Sequence, residues 1–407
     1  MEVADVFRRA HDRFQSRYGQ SISRAQRRVM RDIMRCRTAA LGGHAERCLD
    51  CGQQQIAYNS CRNRHCPKCQ AGARAQWMDA RASELLPVPY FHLVFTIPSE
   101  LAPLALQNKR IVYGLLMRTV SETLKEVAAN PRHLGAEIGG LAVLHTWGQN
   151  LMHHPHVHCV VPAGGLEPSG TKWLPCQRSK RTGKLFFLPV RILSRVFRGK
   201  FMAGLKRAFS RGRLQFHGHI AGLSDPRQFE QRLNAAVRQD WVVYAKRPFG
   251  SPKQVLKYLA RYTHRVAIAN SRLVQHVGNK VTFHWRDYAH EAQGKLMTLD
   301  DVEFIRRFLL HTLPRGFHRI RHFGFLANRH RAEKLRTCRD LLSVTSEKVT
   351  ATLTETSGDD DRHPTVVCQV CGSNRVLRSE VLPCPPLQSR QQPLNFVPTR
   401  VPLLDSS

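Results

Sequence analysis

Residues 141–166 restrict the fold most, because they predict two consecutive β-strands in which histidines lie among apolar residues. They read LAVLHTWGQNLMHHPHVHCVVPAGGL. Side chains alternate between the two faces of a strand, so His156 and His158 project from one face while Val157 packs on the other. Residues 141–147 predict the neighbouring strand. Two neutral imidazoles on a rigid strand can hold a divalent metal ion, although a His-x-His pair alone is more often ordinary strand surface.

A second pattern about a hundred residues later makes the histidine pair more specific. Residues 254–262 contain good helix formers without Gly or Pro and follow a break at residues 250–252. Tyr258 and Tyr262 are then one turn apart and share a helix face. Taken alone, two such tyrosines favour an aromatic stripe in a core. Cationic residues flank them on this helix, and they are Lys257, Arg261, His264 and Arg265.

The His-x-His strand followed by a Tyr-x-x-x-Tyr helix resembles the HUH nuclease superfamily. The strongest resemblance is to the two-tyrosine rolling-circle transposases of bacterial insertion sequences, the insertion sequence 91 family. Residues 36–70, 90–98 and 313–331 extend the resemblance, which covers about residues 24–342. It implies an α+β fold, in which an antiparallel HUH sheet flanked by helices follows a small N-terminal zinc-binding domain.

The resemblance also implies a reaction. Tyr258 and Tyr262 carry over as catalytic nucleophiles, one nicking an element end to give a 5′-phosphotyrosine and a free 3′-OH, the other attacking the target; either could act first. His156 and His158 carry over as ligands of a catalytic Mg²⁺ or Mn²⁺. Two imidazoles leave such an ion undercoordinated, so a third ligand is expected. We predict Gln149 for it, with His153 and His154 as alternatives.

The net charge predicts the class of partner. The chain has 407 residues, with 63 Lys and Arg against 30 acidic residues and a formal charge of +33. Such an excess favours polyanions, since each phosphate contact releases counterions. Nucleic acid fits better than a membrane surface, because no apolar run of 18 residues and no signal peptide occur. The family resemblance implies that this nucleic acid is DNA, chiefly the single-stranded element ends and the target. We expect a bacterial cytoplasmic, nucleoid-associated protein with reduced cysteines.

Cysteine spacing predicts a zinc site near the N-terminus. Two Cys-x-x-Cys hooks, Cys48 with Cys51 and Cys66 with Cys69, are separated by fourteen residues. Each hook presents two thiolates, and two hooks can close a tetrahedron around one structural Zn²⁺. A cluster of buried free cysteines is the minor alternative. A second zinc site or alternative ligands are offered by four more residues, namely Cys36, His44, Cys61 and His65.

Basic residues elsewhere are candidate DNA contacts. Besides Lys257, Arg261 and Arg265, the segment 313–331 carries Arg319 and Arg321 among phenylalanines. Basic side chains that alternate with aromatic ones suit the binding of single-stranded DNA. The same aromatic side chains could equally be buried in a hydrophobic core. The basic segment 171–250 predicts a helical insertion, for which DNA binding and simple solvation are nearly equal alternatives. Apolar periodicity predicts helices at residues 1–40, 101–129 and 191–211, and a further helix that ends at residue 313 and begins at Thr298 or at Asp300. It predicts strands at residues 90–98, 266–276 and 280–288.

These patterns predict three regions. Residues 1–86 form a helical and zinc-binding DNA-binding domain, residues 87–342 the HUH domain with its insertion, and residues 343–407 a mostly disordered tail. The tail holds one further hook, Cys368 with Cys371, for which Cys384 and His363 are possible additional ligands.

Two other functions fit parts of the pattern. A non-catalytic zinc-dependent DNA-binding protein needs only the charge and the cysteines. An HUH replication initiator or conjugative relaxase would share the catalytic residues. The oligomeric state is not encoded in any of these motifs.

Overall fold

The computed structural model describes residues 1–70, 77, 81, 84–179, 182–249, 254, 267–287, 293–346, 368 and 370–383. The chain forms two units. The first contains Met1–Met34 and Cys61–Pro364, and the second contains Arg35–Ser60 and Thr365–Ser407. Among the described residues, no helix has both the length and the apolar character needed to cross a bilayer.

This division corrects the predicted boundaries at residues 86 and 343. The N-terminal helices belong to the first unit, where Phe7 meets Phe308 edge-to-face at 5.3 Å between ring centroids, and Arg13 pairs with the buried Asp301 at 2.5 Å. Strand pairing places the end of the chain in the second unit. Long-range contacts of this kind leave no trace in local periodicity.

The described helices are α1 Val3–Arg9, α2 His11–Tyr18, α3 Arg24–Arg35, α4 Ala102–Gln107, α5 Lys109–Ala129, α6 Val190–Ser210, α7 Pro226–Val237, α8 Asp301–Leu310 and α9 Arg331–Ser346. The described strands are β1 Gly43–Cys48, β2 Gln54–Tyr58, β3 Tyr90–Thr96, β4 Gly139–Trp147, β5 His153–Pro162, β6 Gly164–Leu166, β7 Trp173–Pro175, β8 Val243–Phe249, β9 Leu273–Val277, β10 Lys280–Asp287, β11 Gln293–Asp300, β12 Ile320–Gly324 and β13 Val376–Leu382.

A five-stranded antiparallel sheet, ordered β12-β4-β5-β3-β8, forms the centre of the first unit. Alternate residues of β5, such as Val157 and Val161, enter the main core together with residues of α5 and α6. The opposite face carries a smaller apolar cluster that includes Val143 and Val160. This alternation confirms the predicted α+β class, an antiparallel sheet with helices packed on it.

The basic helix α6 belongs to the main core. Phe197 and Phe201 are fully buried in the same core as the central sheet, and Phe197 packs edge-on against Phe95 of β3 at 5.3 Å. Its charged residues occupy the remaining face. The predicted helix at 191–211 is therefore confirmed, while the expectation of a separate insertion is corrected to an integral layer.

A second antiparallel sheet of the first unit is ordered β11-β10-β9. Its β9–β10 hairpin turns at Gly278 and Asn279, as predicted. The strand β11 was not predicted. The following helix was predicted to begin at Thr298 or at Asp300, and the structure agrees with the second alternative. Thr298 instead pairs with Thr282 across the sheet, with 2.9 Å between their hydroxyl oxygens. Asp300 is the N-cap of α8 and accepts from the next backbone amides.

The second unit is built on a three-stranded antiparallel sheet with the order β13-β1-β2. β1 lies in the middle and pairs with β2 on one side and β13 on the other. The strand β13 comes from the region predicted to be a mostly disordered tail, most of which lies outside the described residues.

Candidate active site and metal centres

Three imidazoles meet on the sheet face opposite the main helical layer. His145 of β4 lies directly across from His156 of β5 in the strand register, and His158 follows two residues later on the same face. One ring nitrogen from each lies within 4.8 Å of the others. His145 and His158 are buried and His156 is partly exposed, so the cluster opens to solvent on one side.

Hydrogen bonds orient two of these rings. Nδ1 of His156 lies 2.7 Å from the backbone oxygen of His154. Because a carbonyl can only accept, Nδ1 carries the hydrogen and Nε2 carries the lone pair, which is the state that a metal ligand needs. Nδ1 of His158 lies 2.8 Å from Nε2 of the buried His92. Burial lowers the pKa of His92 to about 3, so this partner is neutral at pH 7.

The structure brings His145, which was not predicted, close to His156 and His158, whereas the third ligand predicted from the sequence was Gln149. Gln149 lies in the turn after β4, where its backbone oxygen accepts from Arg272 at 2.7 Å. The alternative His153 is turned away, and its Nε2 meets the hydroxyl of Tyr113 at 2.7 Å. His154 contributes its backbone oxygen to the site. Only the strand register could have selected His145, although a histidine inside an apolar strand was a usable indication.

The predicted nucleophiles and their neighbours lie outside the described residues. These are Tyr258, Tyr262, Lys257, Arg261 and Arg265. The strand β8, which precedes this segment, pairs with β3 in the five-stranded sheet. The tyrosines therefore remain candidates from the sequence.

A group of three cysteines belongs to the first unit. Cys61, Cys66 and Cys69 cluster, with 3.5 Å between the sulfurs of Cys61 and Cys69. Arg64 holds this loop against a later segment of the same unit by donating to the carbonyl oxygens of Phe317 and Pro314 at 2.6 and 2.8 Å. His65 accepts weakly, at 3.4 Å, from the backbone of Leu313, and burial holds its pKa well below the usual range.

A group of four cysteines belongs to the second unit. Cys48 and Cys51 lie with Cys368 and Cys371, all four sulfurs being within 4.8 Å of one another. The backbone amide of Cys51 lowers the pKa of the Cys48 thiol to about 6, and that of Cys371 likewise lowers the pKa of the Cys368 thiol. Hydrogen bonds to the neighbouring sulfurs, together with burial, raise the pKa values of the Cys51 and Cys371 thiols, so two of the four thiols are stabilised as thiolates. Stabilised thiolates are the ligands that zinc prefers.

The single zinc site predicted from Cys48, Cys51, Cys66 and Cys69 is thus corrected, since its two hooks belong to different clusters. The sequence spacing could not reveal that Cys368 and Cys371 return to the first hook. Among the other candidates, His44 donates from its Nε2 to the carboxylate oxygen Oε1 of Glu46 at 3.0 Å. Cys36 is buried and directly follows α3, at the start of the second unit.

The two arginines predicted to contact DNA have different environments. Arg319 is only 8% exposed and donates to Gln70 at 3.1 Å, so its assignment as a DNA contact is corrected to a structural role. Phe317, Phe323 and Phe325 are also buried, which favours the core alternative for this segment. The side chain of Arg321 stays partly exposed over the ring of Phe317, 5.2 Å from its centroid.

Arg321 lines a basic cleft of about 550 Å³ between α5, α6 and the edge strand β12. None of the described residues that line this cleft is acidic. Its arginines are Arg110, Arg118, Arg207, Arg211, Arg213 and Arg321. We call this surface the arginine cleft. Six guanidinium groups around one concave surface form a strongly anion-attracting site.

Comparison with known proteins connects these features. Residues 139–334, which include the three histidines, match a family described as "Putative transposase". Residues 6–97 match a family described as "Transposase zinc-binding domain". The chain is 56% identical over 343 residues to "Putative transposase y4qJ" of Sinorhizobium fredii (strain NBRC 101917 / NGR234), covering 84% of each protein. The chain belongs to the insertion sequence 91 family of transposases.

A more distant relative supports the assignment to this transposase family. The "Transposase for insertion sequence element IS801" of Pseudomonas savastanoi pv. phaseolicola is 29% identical over 304 residues, covering 73% of this chain and 69% of the relative. No solved structure matches the chain. As a transposase, the protein is an enzyme that acts on DNA and carries a zinc-binding domain.

Proposed function

We propose that this transposase nicks and joins single-stranded DNA through phosphotyrosine intermediates in rolling-circle transposition of an insertion sequence. The observation that carries the proposal is the convergence of His145, His156 and His158 on one face of the antiparallel sheet. Such a reaction would place the protein with the bacterial nucleoid, where its DNA lies.

The three imidazoles fit a divalent cation. Their spacing allows one ion to be shared, and the hydrogen bonds to His154 and His92 hold two of the rings in place. Three ligands on one side leave positions for phosphate oxygens. Mg²⁺ or Mn²⁺ bound there would polarise the scissile phosphate.

Tyr258 and Tyr262 are the proposed nucleophiles, as the family resemblance implies. The phenol oxygen of one tyrosine forms a bond to phosphorus while the bond from phosphorus to the 3′ oxygen breaks. The phenol loses its proton, and the departing 3′ oxygen gains one. The second tyrosine then attacks the target strand in the same way, so that the first covalent link can persist and no ATP is consumed.

The direct test uses labelled single-stranded oligonucleotides that tile the ends of the element. We expect a nick with Mg²⁺ or Mn²⁺ but not with EDTA, together with a protease-sensitive adduct at the 5′ side. Tight binding without cleavage under every metal condition would instead support a non-catalytic DNA-binding protein. A nick at a plasmid replication or transfer origin, but not at the element ends, would indicate an initiator or relaxase.

The arginine cleft is the surface that we propose for the DNA backbone. Arg207 of α6 and Arg211, which directly follows this helix, are exposed and line the cleft. Arg191 and Arg195 are exposed on the same helix but do not line the cleft. The chain therefore offers two pairs of arginines with the same charge, of which only Arg207 and Arg211 line the arginine cleft.

We expect Arg207→Ala with Arg211→Ala to weaken single-stranded DNA binding and to flatten its salt dependence. Each lost phosphate contact lowers the slope of log K against log salt by about 0.7, so two contacts lower it by about 1.4. Fluorescence anisotropy from 50 to 300 mM salt would measure this. Equal effects from Arg191→Ala with Arg195→Ala would show that only the net charge matters and would exclude the cleft.

We also propose a structural zinc ion at Cys61, Cys66 and Cys69. Their sulfurs are close enough to share one ion, and the loop that holds them is fixed by Arg64. A closed structural site needs a fourth ligand, which these three residues do not supply.

A further inference from the structure

We propose that Cys48, Cys51, Cys368 and Cys371 bind one structural zinc ion, which the C-terminal segment completes. The ligands that meet are separated by 317 and 323 residues along the chain. The match to the zinc-binding family ends at residue 97, so it does not include Cys368 and Cys371.

The distances between sulfurs fit a metal ion and exclude disulfides. The sulfur of Cys48 lies 3.6 Å from that of Cys371, and the sulfur of Cys51 lies 3.6 Å from that of Cys368. Four sulfurs at about 2.3 Å from a tetrahedral zinc ion are about 3.8 Å apart. A disulfide would require about 2.05 Å. The cluster is therefore already close to the geometry of a zinc tetrathiolate.

The two hooks have the same local structure, although they are far apart in sequence. Each ends in a glycine with positive φ, Gly52 at 73° and Gly372 at 74°, where a side chain would be strained. Their amides donate to the carbonyls of Cys48 at 3.0 Å and Cys368 at 2.9 Å. The first cysteine of each hook is buried and the second is exposed. Two matching turns that face each other form the usual ligand arrangement of a zinc ribbon.

The strand after the second hook is anchored independently of the sulfurs. β13 pairs with β1 in a register that sets Val376 opposite Cys48. Arg378 donates at 3.2 Å to the carboxylate of Glu46, which is only 3% exposed. Arg375 donates to Asp50 within the first hook at 2.7 Å. These contacts hold Cys368 and Cys371 close to Cys48 and Cys51, where they can complete a four-ligand site.

This arrangement makes the C-terminal segment a structural part of the second unit. Four protein ligands would leave no position for water or substrate, so the site is structural. Because binding energy of a structural zinc ion contributes to folding, loss of the C-terminal hook would destabilise the second unit. The inference does not depend on the nicking reaction, which involves residues of the first unit.

Zinc content of the full-length protein, measured by inductively coupled plasma mass spectrometry, tests the proposal. Removing either hook, by Cys48→Ser with Cys51→Ser or by Cys368→Ser with Cys371→Ser, is expected to lose one zinc per chain. Removing both hooks is expected to lose the same single ion. The control Cys176→Ala with Cys338→Ala removes two buried cysteines outside both clusters and is expected to keep the wild-type zinc content. Full zinc content after loss of Cys368 and Cys371 would overturn the proposal.

A measurement on the unaltered protein covers the case in which those variants fail to fold. After zinc removal by a chelator, mild oxidation should join Cys48 to Cys371 or Cys51 to Cys368, as read by peptide mass spectrometry. Zinc-loaded protein should resist the same oxidation. Disulfides that join Cys48 or Cys51 to Cys66 or Cys69, with Cys368 and Cys371 left reduced, would contradict the proposal.

Discussion

Tyr258→Phe combined with Tyr262→Phe is expected to abolish covalent DNA adducts while DNA binding is retained. The change removes only the phenol oxygens, which are the proposed nucleophiles. Loss of a nucleophile that works together with other catalytic groups lowers the rate by roughly 10⁴-fold or more. Denaturing gels with 5′- and 3′-labelled oligonucleotides would show neither nick nor adduct, whereas anisotropy would give nearly the wild-type affinity.

Single tyrosine variants separate the two roles. If the two tyrosines act one after the other, each single variant should still carry out the step of its remaining tyrosine. Both single variants should fail to complete strand transfer. Tyr113→Phe and Tyr244→Phe are useful controls, since Tyr113 is buried beneath the sheet and Tyr244 is exposed on β8. Adducts that persist in the double variant would refute the assignment of Tyr258 and Tyr262.

His145→Asn is expected to lower the metal-dependent nicking rate by about 10²–10³-fold, as is typical when a group that stabilises the transition-state charge is removed. The structural reason is the position of His145 opposite His156, within the three-histidine cluster. The affinity for Mn²⁺, measured by electron paramagnetic resonance, should fall as well. Circular dichroism should show a folded protein, because the change is confined to one ring at the end of β4.

Gln149→Ala is the matched comparison for the third ligand. Its backbone contact to Arg272 survives the change, so we expect nicking and Mn²⁺ affinity within a few-fold of wild type. The opposite result, a large loss with Gln149→Ala and little change with His145→Asn, would restore the ligand predicted from the sequence. His92→Ala should show an intermediate loss of about 10–100-fold, as expected for a residue that orients a ligand.

The sequence predicted the local elements of the first unit well. His156, Val157 and His158 were predicted to alternate along a strand. In β5, Val157 faces the main core, and the two histidines lie on the opposite face. The Ser-x-x-Gln sequence at the start of α3 likewise forms the capping box that this spacing favours, as Gln26 accepts from the backbone of Ser23 at 2.9 Å and Ser23 accepts from that of Gln26 at 3.3 Å. These features depend on neighbours along the chain, for which periodicity and capping are reliable.

What only the tertiary structure decided was which distant residues meet. The register of β4 against β5 selected His145, and a sheet across more than 300 residues brought Cys368 and Cys371 to Cys48 and Cys51. The spacing of cysteines gave the number of hooks but not their partners. Local sequence therefore determined the strands and helices, whereas strand pairing determined which histidines and cysteines cluster, because pairing energies depend on contacts that are distant along the chain.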